Sequence, residues 1–414
     1  MMNGRRLWAV AGLAATAIAA AVPISSASSA TNATTLVIWA DADHVSAVTQ
    51  VADAWAAPKG VTVQIVQKEL GEIRPQLTTV AVDTAPDVVL GAHDWVGELS
   101  ASGTVLPLSP SAATRKQFPA SAMNSFSYGL AVKKLYGAPV AIENVALFTN
   151  TALAKVPTLF ADLEKQALAA KKRTKAPVGI AVQQGPGGDP FHMYPFFSGL
   201  GGYIFGTNSV GNLDPSNIGV ANAKFLTNAP MIDRWNKRAL IRSQVTGDLA
   251  RELFTRGKTA FYVTGPGYLP EIRASGVRYT ISGFPQIVPG IKSVPLLAVQ
   301  GFMVTRFSSA HGVESLAKDL VANSMMRPAS QLALALASGR FPASTVAGSQ
   351  VKDKDLKAFG KASVGGVPTP NVPQAASVWP DLGAAWVRST KGSGAVPARR
   401  SFIGAQKSIA EKIG

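Results

Sequence analysis

No cysteine occurs among the 414 residues of this chain. Its absence excludes disulfides, metal sites built from thiolates and catalysis by a cysteine nucleophile. It also excludes a lipid attached to an N-terminal cysteine. An exported form of the protein would therefore be expected in a periplasm or released, rather than held as a lipoprotein.

Several catalytic and cofactor-binding motifs are missing as well. Gly257-Lys258-Thr259 looks like the end of a phosphate-binding loop, but Glu252 stands where that loop needs its first glycine. The loop also requires a strand before it and a helix after it, whereas here a predicted helix comes before and a predicted strand after. The four histidines have no metal-ligand spacing. No Gly-x-Ser-x-Gly nucleophile elbow occurs. We expect no cofactor and no metal, and we predict that the protein is not an enzyme.

Acidic residues are scarce relative to basic ones. The chain has 40 Lys and Arg against 24 Asp and Glu, a formal net charge of +16, which becomes +14 without Arg5 and Arg6. A nucleic-acid surface would need clustered bases with interleaved aromatic residues. Here the bases are scattered, with clusters only at 171–175 and 399–400. We predict no nucleic-acid partner and a solvated basic surface, suited either to an acidic habitat or to an anionic cell envelope.

Long apolar runs are confined to the N-terminus. Arg5 and Arg6 precede an uncharged run at 7–22, and small residues follow up to Ala30. This order is typical of a secretory signal peptide, which we place at 1–30. An uncleaved N-terminal anchor is the alternative, although the run is short for a membrane span. The sequence thus predicts an exported protein, either periplasmic, extracellular or at the cell surface.

Length and periodicity predict an α/β protein with two domains. A chain of 414 residues exceeds one ordinary core, and 47% hydrophobic content with 38 glycines fits an α/β globular protein. Strand-like apolar segments alternate with segments of helical periodicity, which indicates parallel βαβ units. The strand-like segments are 36–39, 61–65, 86–90, 138–142, 178–182 and 258–263.

Carboxylates and aromatic side chains follow most of these predicted strands. Ligands of open α/β sheets lie at the carboxyl ends of the strands. We therefore expect the residues at five strand ends to converge on one cleft. They are Asp41 and Asp43, Asp94 and Trp95, Glu143, Asp189 and Phe191, and Tyr268.

Residues 370–379 read Pro-Asn-Val-Pro-Gln-Ala-Ala-Ser-Val-Trp. Two prolines form a rigid turn that holds one large aromatic side chain, Trp379, at the start of a helix. A flat indole in such a place can serve as a platform for the apolar C–H face of a sugar ring. Core packing is the alternative role for this side chain.

This segment resembles the turn before the stacking tryptophan in maltose/maltodextrin-binding proteins, which are solute receptors of ABC importers. Other motifs of that family occur in the same order from residue 36 to 414. They are 36–39, Pro86-Asp87, Ala92-His93-Asp94, the run 189–205, Gly265-Pro266 and 370–379.

The resemblance implies a periplasmic-binding-protein type II fold, with two discontinuous α/β lobes, a hinge and a ligand cleft between the lobes. It places the N-terminal lobe at 34–141 plus 302–345 and the C-terminal lobe at 145–298 plus 350–414. It also implies that the protein captures maltose or maltodextrin-like oligosaccharides and delivers them to a membrane permease. The expected partners are the oligosaccharide and the permease, and the protein is expected to be a monomer.

Carried over residue by residue, the resemblance implies that Asp43, Asp94 and Glu143 accept hydrogen bonds from sugar hydroxyls, and that Phe191 and Trp379 supply stacking faces. Asp41 stands where the family has a polar contact, and Asp189 stands where the family commonly has glutamate. For Asp94, helix capping is an equally good interpretation. Glu143 needs a buried partner, either a sugar hydroxyl or a basic residue. His93 is interpreted as a side chain that positions its loop.

The sequence departs from the family at several cleft positions. His44 replaces a lysine and is expected to contact the ligand in its place. Trp95 replaces an arginine, while Gly91 replaces an aromatic residue. Gly267 replaces a stacking tryptophan, with Tyr268 next to it as the substitute platform. A tyrosine and an arginine of the family are replaced by Pro380 and Gly383.

Two alternatives to an oligosaccharide receptor stay open. The first is a receptor of the same fold for another disaccharide, a polyol or a glycerophosphodiester, because fold does not fix the ligand. The second is a secreted glycoside hydrolase that uses two of the predicted carboxylates as its acid/base pair.

Overall fold

The structure is a computed structural model that describes residues 34–129, 132–209 and 211–414. The predicted signal peptide at 1–30 lies outside the described residues. Residues 34–414 form one compact unit. In the described ranges no helix is both long enough and apolar enough to cross a membrane.

The described residues contain fifteen strands in four sheets. The strands are Thr35–Ala40 (β1), Thr62–Gln67 (β2), Val88–Ala92 (β3), Ser127–Tyr128 (β4), Lys134–Leu135 (β5), Gly137–Asn144 (β6), Ala146–Asn150 (β7), Ile180–Val182 (β8), Phe205–Thr207 (β9), Leu213–Ile218 (β10), Phe261–Thr264 (β11), Tyr279–Ser282 (β12), Leu296–Val304 (β13), Phe341–Pro342 (β14) and Val367–Pro368 (β15).

Eighteen α-helices lie in the same ranges. They are Val45–Ala56 (α1), Leu70–Leu77 (α2), Val96–Ala101 (α3), Ala112–Arg115 (α4), Ala120–Ser125 (α5), Phe160–Thr174 (α6), Pro190–Gly199 (α7), Ala223–Asn228 (α8), Pro230–Lys237 (α9), Gly247–Thr255 (α10), Leu269–Ala274 (α11), Phe307–Ala310 (α12), Glu314–Asp319 (α13), Pro328–Ala337 (α14), Thr345–Gln350 (α15), Lys354–Ala362 (α16), Val378–Thr390 (α17) and Ala398–Ile413 (α18).

The larger sheet has seven strands in the order β14-β6-β13-β3-β1-β2, with β15 paired to β13. The first three strands along the chain pair as predicted, because β1 runs parallel to both β2 and β3. The long strand β13 runs antiparallel to β3 and to β6, so the sheet is mixed rather than wholly parallel.

The second large sheet has four strands in the order β12-β7-β11-β8. Strands β8 and β11 are parallel, and β7 runs antiparallel between β11 and β12. The sheet therefore has two ends. We call the end formed by Ala146, Val182, Thr264 and Ser282 the upper edge. The lower edge is formed by Asn150, Ile180, Phe261 and Tyr279.

Each large sheet is covered by its own hydrophobic cluster. The cluster on the seven-stranded sheet draws on residues within 36–142 and 297–343. The clusters on the four-stranded sheet draw on residues within 145–296 and 351–409. Val45, Val48, Val51 and Trp55 recur at the spacing of a helix, and all four lie in α1, which buries the last three.

Candidate functional site

A pocket of about 370 Å³ brings together residues from both sheet systems. Four predicted ligand residues line it, namely Asp94, Asp189, Phe191 and Trp379. The rest of the lining is Ala92, His93, Gly188, Pro190, Ala298 and Thr369. Two carboxylates and two aromatic side chains from distant parts of the sequence therefore face one space.

Trp379 is the second residue of α17, directly after a short 3₁₀ turn at Pro373–Ser377. The segment before this turn is fixed by Asn371, whose Nδ2 donates to the carbonyl oxygens of Ser125 at 2.8 Å and Ser127 at 3.0 Å. The indole is half-buried and rests on the cluster of the four-stranded sheet while it lines the pocket. A large aromatic surface is thus held at the pocket by a rigid support.

Asp189 caps the N-terminus of α7. One carboxylate oxygen accepts from the backbone N–H of His192 at 2.9 Å, and the other accepts from Gln183 Nε2 at 2.5 Å. The His192 ring nitrogen Nδ1 lies 3.0 Å from the second oxygen. Burial alone would raise the pKa of Asp189, but these contacts lower it below its ordinary value. Asp189 is therefore a fixed, ionised acceptor in the pocket.

Asp94 lies in a 3₁₀ turn, His93–Trp95, directly after β3. Its side chain caps neither this turn nor α3, so the capping interpretation is wrong. The carboxylate is exposed in the pocket and forms no hydrogen bond or ion pair with any residue of the described ranges. It is free to accept hydrogen bonds from a ligand.

His93 holds this turn in place, as predicted. The backbone N–H of Val299 donates to Nδ1 at 3.0 Å, so the ring proton is on Nε2, which lies 2.9 Å from the Thr369 carbonyl oxygen. Complete burial lowers the pKa of His93, which keeps the ring neutral. The neutral ring ties β3, β13 and the segment after β15 together at the floor of the pocket.

Glu143 lies next to the pocket on β6, paired in register with Ala298. Its Oε2 accepts from Arg340 Nε at 2.8 Å, so the partner that Glu143 was predicted to need is a basic residue. The Arg340 charge also helps to lower the pKa of Asp41. Arg340 was missed in the sequence because no motif marks it; only the pairing of β14 with β6 brings it to Glu143.

The remaining residues of the first strand end lie outside the pocket lining. His44 is completely buried, and its Nδ1 lies 2.6 Å from Asp41 Oδ1. Burial alone would raise the pKa of Asp41, but His44 and Arg340 lower it. Asp43 is exposed. His44 therefore contacts Asp41 and does not line the pocket.

The departures from the family pattern at Trp95 and Gly91 have one structural cause. A Cβ on Gly91 would lie 2.6 Å from Trp95 Cε3, which shows that the indole lies directly against Gly91. The Trp95 side chain is only 8% exposed and belongs to the cluster of the seven-stranded sheet. It is a core side chain that occupies the space next to Gly91, and it does not line the pocket.

Gly383 also departs from the family for a reason that the structure shows. A Cβ at this position would lie 2.4 Å from the carbonyl oxygen of Gly187, because the loop before α7 runs against the α17 backbone. Gly188 in the same loop has a φ of 73°, which glycine adopts without strain. A side chain at position 383 would therefore collide with this loop.

Tyr268, the expected substitute platform, is half-buried beside α10. The Arg251 guanidinium lies 5.5 Å from the centroid of its ring. A Cβ on Gly247 would lie 3.3 Å from the Tyr268 hydroxyl oxygen and 2.9 Å from Gln183 Oε1. Tyr268 therefore lies near Gln183, which binds Asp189, but it is not part of the pocket lining.

Comparisons with known proteins bear on the family and the fold of this chain. A family model for bacterial extracellular solute-binding proteins matches residues 50–360. The maltodextrin-binding protein MdxE of Bacillus subtilis (strain 168) is 27% identical over 336 residues, which cover 77% of this chain and 76% of the relative. The galactooligosaccharide-binding protein of the same organism is 26% identical over 372 residues, covering 86% and 84%.

Two solved structures share the fold. A cyclo/maltodextrin-binding protein complexed with maltotetraose superposes with a TM-score of 0.81 at 24% identity, covering 93% of this chain and 98% of that one. The maltose-binding periplasmic protein MalE of Listeria monocytogenes, in complex with maltose, gives a TM-score of 0.78 at 22% identity, with coverage of 92% and 97%. The predicted type II periplasmic-binding-protein fold is confirmed.

Proposed function

The chain belongs to the bacterial extracellular solute-binding protein family, and we propose that its solute is a maltodextrin-like oligosaccharide, which it delivers to the permease of an ABC transporter. The observation that carries this proposal is the pocket in which Trp379 and Phe191 meet Asp94 and Asp189. Aromatic faces match the C–H face of a sugar ring, and ionised carboxylates match its hydroxyl donors.

We assign the ligand contacts in two groups. Trp379 and Phe191 cover ring faces, while Asp94 and Asp189 accept hydrogen bonds from hydroxyl groups. Around this centre, Glu143, Asp41 and Asp43 form a second group of acceptors toward the first strand end. Tyr268, Trp95 and His44 do not line the pocket. We therefore assign them to the support of neighbouring side chains and not to direct contact with the sugar.

We further propose that the two lobes comprise 34–141 plus 302–345 and 145–298 plus 350–414. Separate sheets and separate hydrophobic clusters support these bounds. Ala92 and Asp94 belong to the first lobe and Gly188 to Phe191 belong to the second, so a ligand in the pocket would contact both. Such a ligand would shift an open–closed equilibrium toward the closed form.

This closure can be measured by small-angle X-ray scattering. The radius of gyration is expected to fall when saturating maltotriose is added, because the ligand binds the closed form better. An unchanged scattering profile at saturation, with binding verified by calorimetry in the same sample, would contradict the closure mechanism.

A galactooligosaccharide is the second candidate ligand. The relative that binds it matches a larger share of this chain than MdxE does, 86% against 77%. A phosphodiester ligand is less well supported, since Arg340 is already paired with Glu143 at 2.8 Å and lies close to Asp41. Its charge is balanced within the protein.

Isothermal titration calorimetry with maltose, maltotriose, trehalose and a galactooligosaccharide tests the proposal. We expect a dissociation constant on the order of micromolar, which corresponds to about −8 kcal/mol, for at least one glucoside. If no glucoside gives heat but the galactooligosaccharide binds, the galactooligosaccharide is the ligand and the maltodextrin proposal is wrong. Release of reducing ends in proportion to protein concentration would instead favour the hydrolase alternative.

A further inference from the structure

The net positive charge of residues 34–414 lies in one of the two proposed lobes. Residues 34–141 and 302–345 contain 11 Lys and Arg and 11 Asp and Glu, a net charge of zero. Residues 145–298 and 350–414 contain 27 Lys and Arg against 12 Asp and Glu, a net charge of +15. A general adaptation of the surface to its medium would charge both lobes alike. The asymmetry therefore indicates a partner for one lobe.

Part of this charge is concentrated at the lower edge of the four-stranded sheet. Chain segments that enter or leave the strands at this edge carry exposed basic side chains. We call this surface the basic pole and define it by Lys155, Lys172, Arg173, Lys175, Lys258 and Arg278.

Hydrogen bonds between these segments show that the basic pole is one continuous surface. The Thr151 backbone N–H donates to the Arg278 carbonyl oxygen at 2.9 Å. The Thr174 hydroxyl donates to the Lys258 carbonyl oxygen at 2.6 Å, and Arg173 itself donates to the Leu153 carbonyl oxygen at 3.3 Å. Four strands about 4.8 Å apart give the edge a width of about 15 Å.

The cations of the basic pole are not neutralised by the protein. None of the six side chains has a carboxylate oxygen within 4.0 Å among the described residues. Those at the end of α6 complement the negative end of that helix. The dipole of α6 does not account for Lys155, Lys258 and Arg278, which lie on other segments.

The chemistry of the basic pole fits an extended anionic surface. A single small anion would need donors that converge on one point, whereas these side chains are spread along the edge of a sheet. Nucleic acid would call for interleaved aromatic residues, and none occurs in 171–175. Exposed lysines and arginines spread over such an edge are suited to many anionic head groups at once.

We propose that the basic pole docks this protein on the surface of a bilayer that contains anionic phospholipid. The ligand pocket lies toward the upper edge, at the other end of the same strands. Gln183, which follows β8 at that edge, binds Asp189, and Gly265, which follows β11, lies next to Glu143. Docking by the basic pole would leave the pocket open to the medium. The protein would then capture its ligand while it is held at the membrane.

Co-sedimentation with vesicles tests this proposal. Purified protein is mixed with vesicles of phosphatidylcholine alone, or of phosphatidylcholine with 30% phosphatidylglycerol, at about 20 mM and about 500 mM salt. We expect sedimentation only with the anionic vesicles, and loss of it at high salt. No sedimentation with anionic vesicles at low salt would overturn the proposal.

Two charge-matched variants locate the surface. The pole variant carries Lys172→Gln, Arg173→Gln, Lys175→Gln and Lys258→Gln. The control variant neutralises three lysines and one arginine that are equally exposed elsewhere on the same lobe, by Lys292→Gln, Lys361→Gln, Lys391→Gln and Arg400→Gln. We expect the pole variant to lose at least tenfold in apparent vesicle affinity, and the control variant less than threefold.

Equal losses in both variants would show that only net charge matters, and would overturn the assignment to the basic pole. A further competition experiment uses a soluble polyglycerophosphate. Competition at charge concentrations far below those of the vesicle lipid would identify an anionic wall polymer as the partner and would overturn the membrane proposal. Melting temperature and sugar calorimetry on both variants keep this test separate from the proposed function, since neither set of substitutions touches the pocket.

Discussion

The two walls of the ligand pocket present their carboxylates in different ways. Asp189, on the side of the four-stranded sheet, is held by the α7 N-terminus and by Gln183. Asp94, on the side of the seven-stranded sheet, is exposed and makes no hydrogen bond within the described ranges. The aromatic platforms Phe191 and Trp379 lie on the same wall as Asp189. One wall is thus fixed before a ligand arrives, and the other supplies a carboxylate that can adjust to it.

The substitution Trp379→Ala should give the largest loss of binding, because it removes the main surface of the fixed wall. We expect a loss of about 2–4 kcal/mol in binding free energy, or about 30- to 1000-fold in dissociation constant, measured by calorimetry. Trp386 lies on the same helix and is completely buried, so it serves as the matched control.

Trp386→Ala should instead cost about 3–5 kcal/mol of stability in urea unfolding, while the folded fraction binds sugar normally. If Trp379→Ala melts as low as the control yet binds sugar normally once folded, Trp379 is a core residue and the fixed wall is wrongly assigned.

The contrast between the carboxylates is tested by Asp94→Asn and Asp189→Ala. Asp94→Asn should weaken sugar binding by about 1.5–3 kcal/mol with little change in stability, since it removes only a charged acceptor. Asp189→Ala should weaken binding and also cost about 0.5–2 kcal/mol of stability through loss of the N-cap. Asp189→Asn should recover most of that stability, because asparagine caps well. Equal stability losses for Asp94→Asn and Asp189→Ala would remove the distinction between a free and a fixed carboxylate.

Arg340→Gln would break the ion pair that supports the adjustable wall. Glu143 would be left partly buried without its 2.8 Å partner, and Asp41 would lose a nearby positive charge. We expect a stability loss of about 1–2 kcal/mol by urea unfolding. Arg340→Gln combined with Glu143→Gln should be less destabilising than the sum of the two single changes. Strict additivity would mean that the pair contributes nothing.

The smallest effect concerns pH, and it should arise in the seven-stranded half. His311 Nδ1 lies 2.7 Å from Oδ1 of the buried Asp87, and Nε2 lies 2.6 Å from the Val82 carbonyl oxygen, so the ring donates from both nitrogens only when protonated. Burial alone would lower the pKa of His311, but Asp87 and the Val82 carbonyl raise it above its ordinary value. Its contribution to stability is therefore complete below about pH 6.5 and is lost as pH rises through the raised pKa.

Urea unfolding across pH 5 to 9 would reveal this loss, and His311→Gln provides the comparison. The variant should be less stable at low pH and should lack the decline that wild type shows above neutrality. Parallel curves for the two proteins would contradict the assignment to His311.

Much of the backbone was predictable from periodicity. Strand β1 lies at the expected residues because it is a short continuous apolar run, and α1 forms where apolar side chains recur every three to four residues. The prediction of parallel βαβ units was incomplete, since β13 crosses the seven-stranded sheet antiparallel to β3 and β6. An apolar strand reads the same in either direction, so the sequence could not reveal its orientation.

Pocket residues were predictable where a local sequence motif marks them, and less so where a residue's role depends on a distant neighbour. Asp94 and Trp379 line the pocket as expected. By contrast, the role of Arg340 depends on a partner 197 positions away. The burial of His44 follows from packing that no local motif records. A pattern in a single sequence indicates whether a side chain faces the core or the solvent, but not which distant residue it contacts.

The contact between Gly91 and Trp95 also limits the paths by which this receptor can change. A tryptophan introduced at 91 would collide with the indole of Trp95, and loss of that indole alone would leave a void beside Gly91. Each single substitution is expected to be unfavourable, whereas a large side chain at 91 combined with a smaller one at 95 would relieve both the collision and the void. The effect of a change at position 91 should therefore depend on the residue at position 95, which makes the two positions epistatic.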